Sequence, residues 1–285
     1  MTSPRPEDRS DYSWTRVPSQ RLTADGVTYA YRELGPRGGV PVVLLTHLAA
    51  VLDNWDPRVV DGIGRERHVI AFDNRGVGAS SGRTPTTIGQ MATDAATFIK
   101  ALGHDQVDIV GFSLGGMIAQ ELAAQQPSLV RRLVLAGTGP AGGRGITRVT
   151  PLTYFDTLRG LVTRKDPKTY LFFTRTPSGR RAAAEFLERL RERTVDRDSR
   201  ITVRAFRAQL KAIGRWGRQT PADLSKLTVP VLVVNGESDR MVPTSNTVDL
   251  HRRLPDSELV IYPDAGHGGI FQNHDDFVAR VVAFL

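Results

Sequence analysis

Residues 111–116 read Gly-Phe-Ser-Leu-Gly-Gly, and this stretch decides the fold that the sequence predicts. The apolar run at 107–110 predicts a buried strand before it, and residues 117–126 predict a helix after it. A Gly-x-Ser-x-Gly sequence between a strand and a helix forms a sharp turn, because small residues leave room for a strained serine. We therefore expect Ser113 to project its hydroxyl into a cleft at the end of a sheet. The alternative is a serine that only caps a helix.

Short apolar runs alternate with helix-length segments on both sides of this turn. Such alternation is typical of a parallel sheet whose two faces are covered by helices. An early hairpin turns at Asp25-Gly26, a dipeptide that accepts the positive φ angles of a tight turn. The predicted strands are 21–24, 27–34, 42–45, 68–72, 107–110, 133–136, 229–234 and 259–262, and the predicted helices are 88–102, 114–126, 244–254 and 275–285.

One connection is too long for this pattern. About ninety residues separate Thr138 from Val229, whereas a crossover between parallel strands needs only a dozen or more. We predict a helical lid subdomain at 139–222, inserted into a core made of 19–138 and 223–285. Residues 1–18 are rich in Ser, Pro, Arg and Asp and predict a flexible leader without the apolar stretch of a secretory signal. The longest apolar run, 40–52, is too short to span a bilayer, so we expect a cytoplasmic protein without stable membrane insertion.

The charge of the chain is concentrated in this insert. The 285 residues carry a net charge of +8, whereas residues 159–218 alone carry +11, so the rest is slightly acidic. One helical segment there combines a predicted buried face with a cationic stripe beside it. The predicted buried face is Val203, Phe206, Leu210 and Ile213, and the stripe is Arg200, Arg204, Arg207, Lys211 and Arg215.

The stripe has two interpretations. A row of arginines beside an apolar face is usually solvated surface, but it could also steer anionic substrates or hold the protein near an acidic partner or membrane surface. No helix-turn-helix, zinc-finger or aromatic RNA-binding signature accompanies it, so we expect no nucleic-acid partner. The chain has no cysteine, which excludes disulfides, thiolate metal sites and a cysteine nucleophile.

A serine nucleophile needs a histidine base and a carboxylate that orients it. His267 lies in Ala-Gly-His-Gly-Gly after the last predicted strand, where its imidazole can reach Ser113. Asp239 follows the preceding predicted strand and is our candidate for the carboxylate. Glu237 and Asp264 are rivals, and an Asp-Arg surface pair at Asp239 is the alternative role.

The reaction also needs N–H donors for the negative charge of a tetrahedral intermediate. We expect one donor at Leu114, directly after the nucleophile, and a second at Leu48, in the loop after the strand at 42–45. His47 is expected to shape that loop rather than to transfer protons.

These features together resemble the α/β-hydrolase fold family, in the branch with a serine nucleophile that includes esterases, lactonases and cofactor-free haloperoxidases. The resemblance runs from about residue 23 to 285. It implies a mostly parallel sheet flanked by helices, a lid after the sixth strand, a Ser-Asp-His triad, and no cofactor or metal. It rests on the His47-Leu48 loop followed by Trp55, the Phe-Asp-Asn-Arg-Gly-Val-Gly-Ala-Ser sequence at 72–80, the Ser113 turn, Asp239 before Pro243, and His267.

The lid of this family covers the active site and selects substrates. Apolar residues of the insert could therefore line a pocket, although packing within the lid is the alternative role for each. Our candidates for substrate contact are His47, Trp55, Tyr154 and Phe172. The family usually has glycine where this chain has Leu48, whose apolar side chain would narrow the acyl side of the cleft.

The sequence predicts a serine hydrolase acting on a small ester or lactone. It leaves open whether the substrate is anionic and whether the protein forms an oligomer. A cofactor-free haloperoxidase, a ligand receptor with the same fold, and a C–C bond hydrolase or lyase remain alternatives.

Overall fold

A single mixed sheet forms the centre of the protein in the computed structural model, which describes residues 13–285. Its strands are β1 (Gln20–Ala24), β2 (Val27–Leu34), β3 (Val42–Leu45), β4 (Val69–Phe72), β5 (Val107–Phe112), β6 (Val130–Ala136), β7 (Val231–Gly236) and β8 (Ser257–Tyr262). The strand order is β1-β2-β4-β3-β5-β6-β7-β8. Strands β1 and β2 are antiparallel to their neighbours, and β3 to β8 run parallel. The mostly parallel sheet predicted from the sequence is confirmed.

Helices cover both faces of the sheet. Alternate residues of β5 show this, because Ile109 packs in the apolar cluster on one face and Val110 in the cluster on the other. Outside the insert the helices are α1 (Pro57–Gly64), α2 (Ile88–Ala101), α3 (Leu114–Gln125), α8 (Ser245–Arg253), α9 (Gly269–Gln272) and α10 (His274–Phe284). No helix within residues 13–285 has the length and apolar character needed to cross a bilayer.

The predicted strand β6 differs from the observed one because charged residues interrupt its apolar run, whereas β5 extends two residues beyond its predicted end and β7 lies two residues later than predicted. Strand β6 begins at Val130, three residues before the predicted start, because Arg131 and Arg132 hid its first half. The Arg131 guanidinium lies 2.6 Å from the buried carboxylate of Asp108 on β5. An ion pair between neighbouring strands thus takes the place of the apolar contact that is usual in a buried strand.

The long connection between β6 and β7 holds four helices, which we call the insert together with their connecting loops at 139–222. They are α4 (Val149–Thr163), α5 (Lys168–Leu171), α6 (Pro177–Arg189) and α7 (Val203–Trp216). The buried face predicted for α7 is partly wrong. Leu210 and Ile213 are buried, but Val203 is 67% exposed, and the small and polar side chains of Ala205 and Gln209 are buried instead.

A half-buried and a buried arginine fasten the insert to the rest of the protein. Arg189 at the end of α6 lies 2.7 Å from Asp56, which is fully buried at the N-terminus of α1. Arg193 is 3% exposed and donates hydrogen bonds to the carbonyl oxygens of Trp14 and Val17. Part of the positive charge of the insert is therefore neutralised at this seam.

The structure describes only the last six residues, 13–18, of the predicted flexible leader. Its residues 1–12 lie outside the described part of the chain. In residues 13–18, the Trp14 ring is 1% exposed and lies under the guanidinium of Arg32 at 5.5 Å. The leader expectation is therefore wrong for 13–18, because a buried tryptophan anchors this segment to the core.

Candidate active site

Ser113 occupies the sharp turn between β5 and α3. Its φ is +57° and its ψ is −114°, a conformation that is costly for a residue with a side chain. The neighbouring glycines make the turn possible. A Cβ atom at Gly115 would lie 2.0 Å from the Leu45 carbonyl oxygen, and one at Gly111 would lie 2.6 Å from the Gly115 carbonyl oxygen. The Ser113 N–H donates to the carbonyl oxygen of Ala136 at 2.8 Å, so β6 fixes the position of the turn.

A hydrogen-bonded chain joins Ser113 to His267 and Asp239. The Ser113 Oγ atom lies 2.9 Å from His267 Nε2, and His267 Nδ1 lies 2.7 Å from Asp239 Oδ2. The other carboxylate oxygen of Asp239 accepts the N–H groups of Met241 and Val242 at 2.8 and 3.0 Å. All three side chains are buried. The carboxylate is therefore fixed by its own loop and presents one oxygen to the imidazole.

The structure separates Asp239 from its two rivals. Glu237 is exposed. Asp264 accepts hydrogen bonds from the hydroxyl groups of Thr176 and Ser178, at the start of α6. Asp264 thus holds the insert, and Asp239 is the carboxylate that reaches His267.

Aromatic rings surround the imidazole of His267. The Phe112 ring lies 5.0 Å from it and the Phe172 ring 5.5 Å from it. The carbonyl oxygen of Phe172 also accepts the Gly268 N–H at 2.8 Å. Phe172 follows α5, so the insert fixes the histidine loop through both backbone and side chain.

The loop after β3 carries the predicted oxyanion donor Leu48. Leu48 lines a cavity beside Ser113, and the next residue, Ala49, has a φ of +62°. The Ala49 N–H donates to Oε1 of Gln209 at 2.8 Å, and Gln209 is a fully buried residue of α7. Leu114, the other predicted donor, is the first residue of α3, where N–H groups have no partner within the helix. The insert therefore holds one of the two loops from which donors are expected.

His47 is neutral and shapes the loop. Burial lowers the pKa of its imidazole to about 3, so the ring is uncharged at neutral pH. Its Nδ1 atom lies 2.8 Å from the carbonyl oxygen of Leu48, which can only accept, so Nδ1 is the donor. The ring packs edge-on against Phe172 at 5.0 Å.

A cavity of about 310 Å³ lies over Ser113. The insert provides more than half of the residues that line it, and most of them are apolar. Lys168 is the cation among them, with its ammonium 3.2 Å from Asp166, which also lines the cavity. The lining residues are His47, Leu48, Ala49, Ser113, Met117, Val149, Thr153, Thr157, Asp166, Pro167, Lys168, Leu171, Phe172, Phe206, Ile213, Met241, Val242 and His267.

The structure brings two of the four predicted substrate-contact residues to this cavity. His47 and Phe172 line it, whereas Trp55 and Tyr154 do not. Trp55 is 2% exposed and packs against Phe271 in the core, and Tyr154 is 48% exposed and packs against Phe206. The prediction that Trp55 and Tyr154 contact the substrate is therefore corrected, since Trp55 lies in the core and Tyr154 lies at the surface.

The cationic stripe does not reach this cavity. Arg200, Arg204, Arg207, Lys211 and Arg215 are exposed, and none of them lines it. A larger cavity of about 670 Å³ is lined by Arg144, Arg148 and Arg240 and contains none of the Ser113, His267 and Asp239 side chains. The charge that can meet a molecule beside Ser113 is that of Lys168 and Asp166.

Sequence reasoning missed Gln209 and Lys168. Gln209 carried a signal, because a polar residue beside Leu210 on an apolar helix face needs a buried partner. Lys168 carried none, because it is one of seventeen basic residues in a segment of sixty. Its position depends on where α5 packs.

The arrangement can deliver a serine oxygen to an electrophile. His267 Nε2 is placed to accept the proton of Ser113 Oγ, and Asp239 is placed to stabilise the imidazolium that results.

Comparison with known proteins places the chain in a family. A model of the α/β-hydrolase fold family matches residues 40–274. A solved α/β-hydrolase fold protein from Chitinophaga pinensis superimposes with a TM-score of 0.90 at 38% identity, covering 95% of this chain and 98% of that one.

Relatives with more specific names are more distant. BpoC of Mycobacterium tuberculosis, provisionally named a non-heme bromoperoxidase, is 28% identical over 91% of this chain and 98% of its own length. A 2-hydroxy-6-oxo-6-(2'-aminophenyl)hexa-2,4-dienoic acid hydrolase of Metapseudomonas resinovorans is 27% identical over 98% of this chain and 94% of its own. The architecture, the extent of the family match and these similarities agree: the chain belongs to the α/β-hydrolase fold family.

Proposed function

We propose that this protein is a serine hydrolase that cleaves carboxylic ester or lactone bonds of a small molecule. The observation that carries the proposal is the hydrogen-bonded chain from Asp239 through His267 to Ser113, at 2.7 and 2.9 Å, beneath a cavity. A serine that only capped a helix would not need a buried histidine on its hydroxyl or a carboxylate behind that histidine.

The proposed reaction begins when Ser113 Oγ attacks the substrate carbonyl carbon. His267 Nε2 takes the hydroxyl proton, and Asp239 stabilises the imidazolium through Nδ1–H. The N–H groups of Leu48 and Leu114 bind the negative oxygen of the tetrahedral intermediate, each contributing about 3 kcal/mol on the scale of other enzymes. His267 then gives its proton to the leaving alcohol, and water hydrolyses the acyl-enzyme by the same steps.

The cavity supports a small, mostly apolar substrate. Its volume of about 310 Å³ lies at the lower end of ligand pockets. Because α4, α5 and α7 all contribute lining residues, we propose that the insert acts as the lid that selects the substrate. The Leu48 side chain reaches the cavity and is proposed to narrow it on the acyl side.

A second candidate is perhydrolysis, which the names of two relatives favour. BpoC and a non-heme haloperoxidase of Rhodococcus erythropolis, 26% identical over 92% of this chain and 97% of its own length, are both named for halide oxidation. In this reaction hydrogen peroxide replaces water and attacks the acyl-enzyme. The acyl group is released as a peracid, and Ser113 is freed. The peracid then oxidises halide and returns to the carboxylic acid.

Hydrolysis is tested with short-acyl p-nitrophenyl esters. We expect Ser113→Ala to lower kcat by about 10⁴-fold or more, because the nucleophile is lost. The matched control is Ser238→Ala, an exposed serine outside the hydrogen-bonded chain. If wild type and Ser113→Ala hydrolyse these esters at the same background rate, the proposal is wrong for this substrate class.

Perhydrolysis is tested by bromination in acetate buffer with peroxide. Bromination should require both acetate and Ser113. Bromination that continues in a buffer without a carboxylic acid would rule out the peracid route.

A further inference from the structure

The outer face of α4 exposes an unusual amount of apolar surface. Seven large hydrophobic side chains are exposed within residues 13–285, and all seven lie in the insert. Five of them are on α4, and Leu161 and Val162 are each 77% exposed. We call these five the α4 patch: Tyr154, Phe155, Leu158, Leu161 and Val162.

The α4 patch forms one face of the helix. At 3.6 residues per turn its members fall on one half of the helix surface, and the opposite half holds Thr153 and Asp156, which are 4% and 1% exposed. A helix that faces water has the reverse arrangement, with polar residues outside and apolar residues inside. Isolated exposed apolar residues are ordinary, whereas a contiguous face marks a surface that another body covers.

Positive charge lies next to the α4 patch, at the end of α4 and on the neighbouring helix α7. Arg164 and Lys165 follow α4 directly and are exposed. The Tyr154 ring lies 6.0 Å from Phe206, which brings the first turns of α7 beside α4, with exposed Arg204 and Arg207. Residues 199–222 contain no Asp or Glu.

Acidic side chains do not offset this charge on α4 itself. The one acidic residue of the helix, Asp156, is buried and lies 3.3 Å from Arg240. The occupant must therefore offer both apolar contact and negative charge.

A second copy of the chain fits this surface poorly. A symmetric contact through the α4 patch would bring two cationic rims against each other. Residues 1–12 fit poorly as well, because their sequence contains no Leu, Ile, Val, Phe or Trp. An anionic lipid surface offers acyl chains to the apolar face and phosphate groups to the rim.

We propose that the α4 patch docks the protein on anionic lipid surfaces. The helix lies along the membrane plane with Leu158, Leu161 and Val162 toward the acyl chains, and the basic residues around it contact headgroups. The same helix lines the cavity with Thr153 and Thr157, so docking brings the cavity to within about 10 Å of the lipid, the diameter of one helix. This proposal does not depend on the chemistry of Ser113.

Vesicle co-sedimentation tests the proposal. Wild type should bind vesicles of phosphatidylcholine containing phosphatidylglycerol more tightly than vesicles of phosphatidylcholine alone, and added salt should weaken binding. Leu161→Ser should weaken partitioning about tenfold, because it removes one buried leucine side chain from the contact. The matched control is Val195→Ser, at a residue 63% exposed in the insert but outside α4, which should bind like wild type.

Hydrolysis of a short, water-soluble ester should stay within about twofold of wild type in Leu161→Ser, since its side chain lies outside the cavity. If wild type binds vesicles but hydrolyses no ester, the proposed function is wrong and this proposal still holds.

Four outcomes would overturn the proposal. The first is no binding to phosphatidylglycerol vesicles. The second is equal binding by Leu161→Ser and wild type, which would show charge attraction without apolar contact. The third is a mass of two chains by light scattering that Leu161→Ser reduces to one, which would identify a second copy as the occupant. Tight binding to soluble polyglutamate without binding to vesicles would indicate an acidic protein and would also overturn it.

Discussion

In the core, Ser113, Asp239 and His267 lie in tight turns and loops that follow strands. The insert, by contrast, lines the same cavity with residues of its helices and of the loops between them. The Ser113 turn is fixed by close backbone contacts at Gly111 and Gly115. The insert lines the cavity with Phe172 and Lys168, and its Gln209 accepts a hydrogen bond from Ala49, which also lines the cavity. The core thus fixes the reacting atoms, and the insert sets their surroundings.

The largest contrast should appear when a methyl group is added to a helix glycine in each region. Gly115→Ala places a Cβ atom 2.0 Å from the Leu45 carbonyl oxygen, so β3 or α3 must move. We expect a loss of about 3 kcal/mol or more in unfolding free energy and at least a 100-fold loss of kcat for ester hydrolysis.

Gly214→Ala on α7 is the matched control. Its nearest atoms belong to the flexible Arg218 guanidinium at 3.4 Å, and alanine favours the helix by about 0.5–1 kcal/mol. Urea unfolding and ester hydrolysis measure both variants. Equal tolerance at the two glycines would contradict the idea that the core turn is the rigid part.

A smaller effect should follow when the insert releases the loop after β3. Gln209→Leu removes the acceptor of the Ala49 N–H and leaves that half-buried donor without this partner, while the side-chain volume changes little. Ala49 has a positive φ, so the loop is expected to relax and move the Leu48 N–H away from the substrate oxygen. We expect kcat to fall by about 10- to 100-fold with little change in KM.

Gln219→Leu, at an exposed position after α7, is the control for this prediction and should leave kcat unchanged. A fall in stability with unchanged kcat would show that Gln209 serves folding alone.

The sequence predicted the core well because its signals are local. Strand β5, the Ser113 turn and α3 follow one another in the chain, and His267 and Asp239 each come directly after a predicted strand. Parallel strands bring their ends to one edge of a sheet, so chain order was enough to place these residues together. Sequence spacing carries no such rule for the insert, where contacts depend on how helices pack.

The errors in the insert have the same origin. Val203 seemed buried because it extends an apolar spacing, yet it lies in the first turn of α7, beyond the reach of the core. Tyr154 seemed to line a pocket because it is aromatic, but it lies on the outer half of α4. The charge of the insert could be counted, but its division between the buried seam and the exposed surface needed the structure.

Lys168 should matter less than Gln209, and only for some substrates. Lys168 lines the cavity, but its ammonium is paired with Asp166 at 3.2 Å, so its attraction for an anion is partly offset. For a p-nitrophenyl ester with a carboxylate on its acyl chain, we expect Lys168→Met to lower kcat/KM about threefold to tenfold relative to a neutral ester of equal length. Lys165→Met removes the same charge from an exposed site outside the cavity. Equal effects of the two variants would assign the selectivity to the overall charge of the insert.

The smallest expected effect is at the seam between the two regions, where Asp73 of the core meets Asp198 of the insert. The Leu52 N–H donates to Asp73 Oδ1 at 3.1 Å and to Asp198 Oδ2 at 3.3 Å, so the two carboxyl groups share one pocket. Burial raises the pKa of the Asp73 carboxyl well above its usual range, and the Asp198 carboxylate raises it further. The nearby acid Asp53 is paired with Arg32 at 2.7 Å.

The direction of the pH effect follows from these contacts. The folded protein keeps a proton on Asp73 at a pH where the unfolded chain has released it, so this pair favours folding less as pH rises above about 4. In Asp198→Asn the amide can donate to the Asp73 carboxylate, which removes the repulsion. We expect the variant to gain about 1 kcal/mol, or roughly 2 °C in Tm, at pH 8 and almost nothing at pH 4.5. Thermal unfolding of wild type and Asp198→Asn at the two pH values measures this gain. A gain of the same size at both pH values would contradict the prediction. It would mean that Asp73 and Asp198 share no proton and that only the arginine contacts hold the seam.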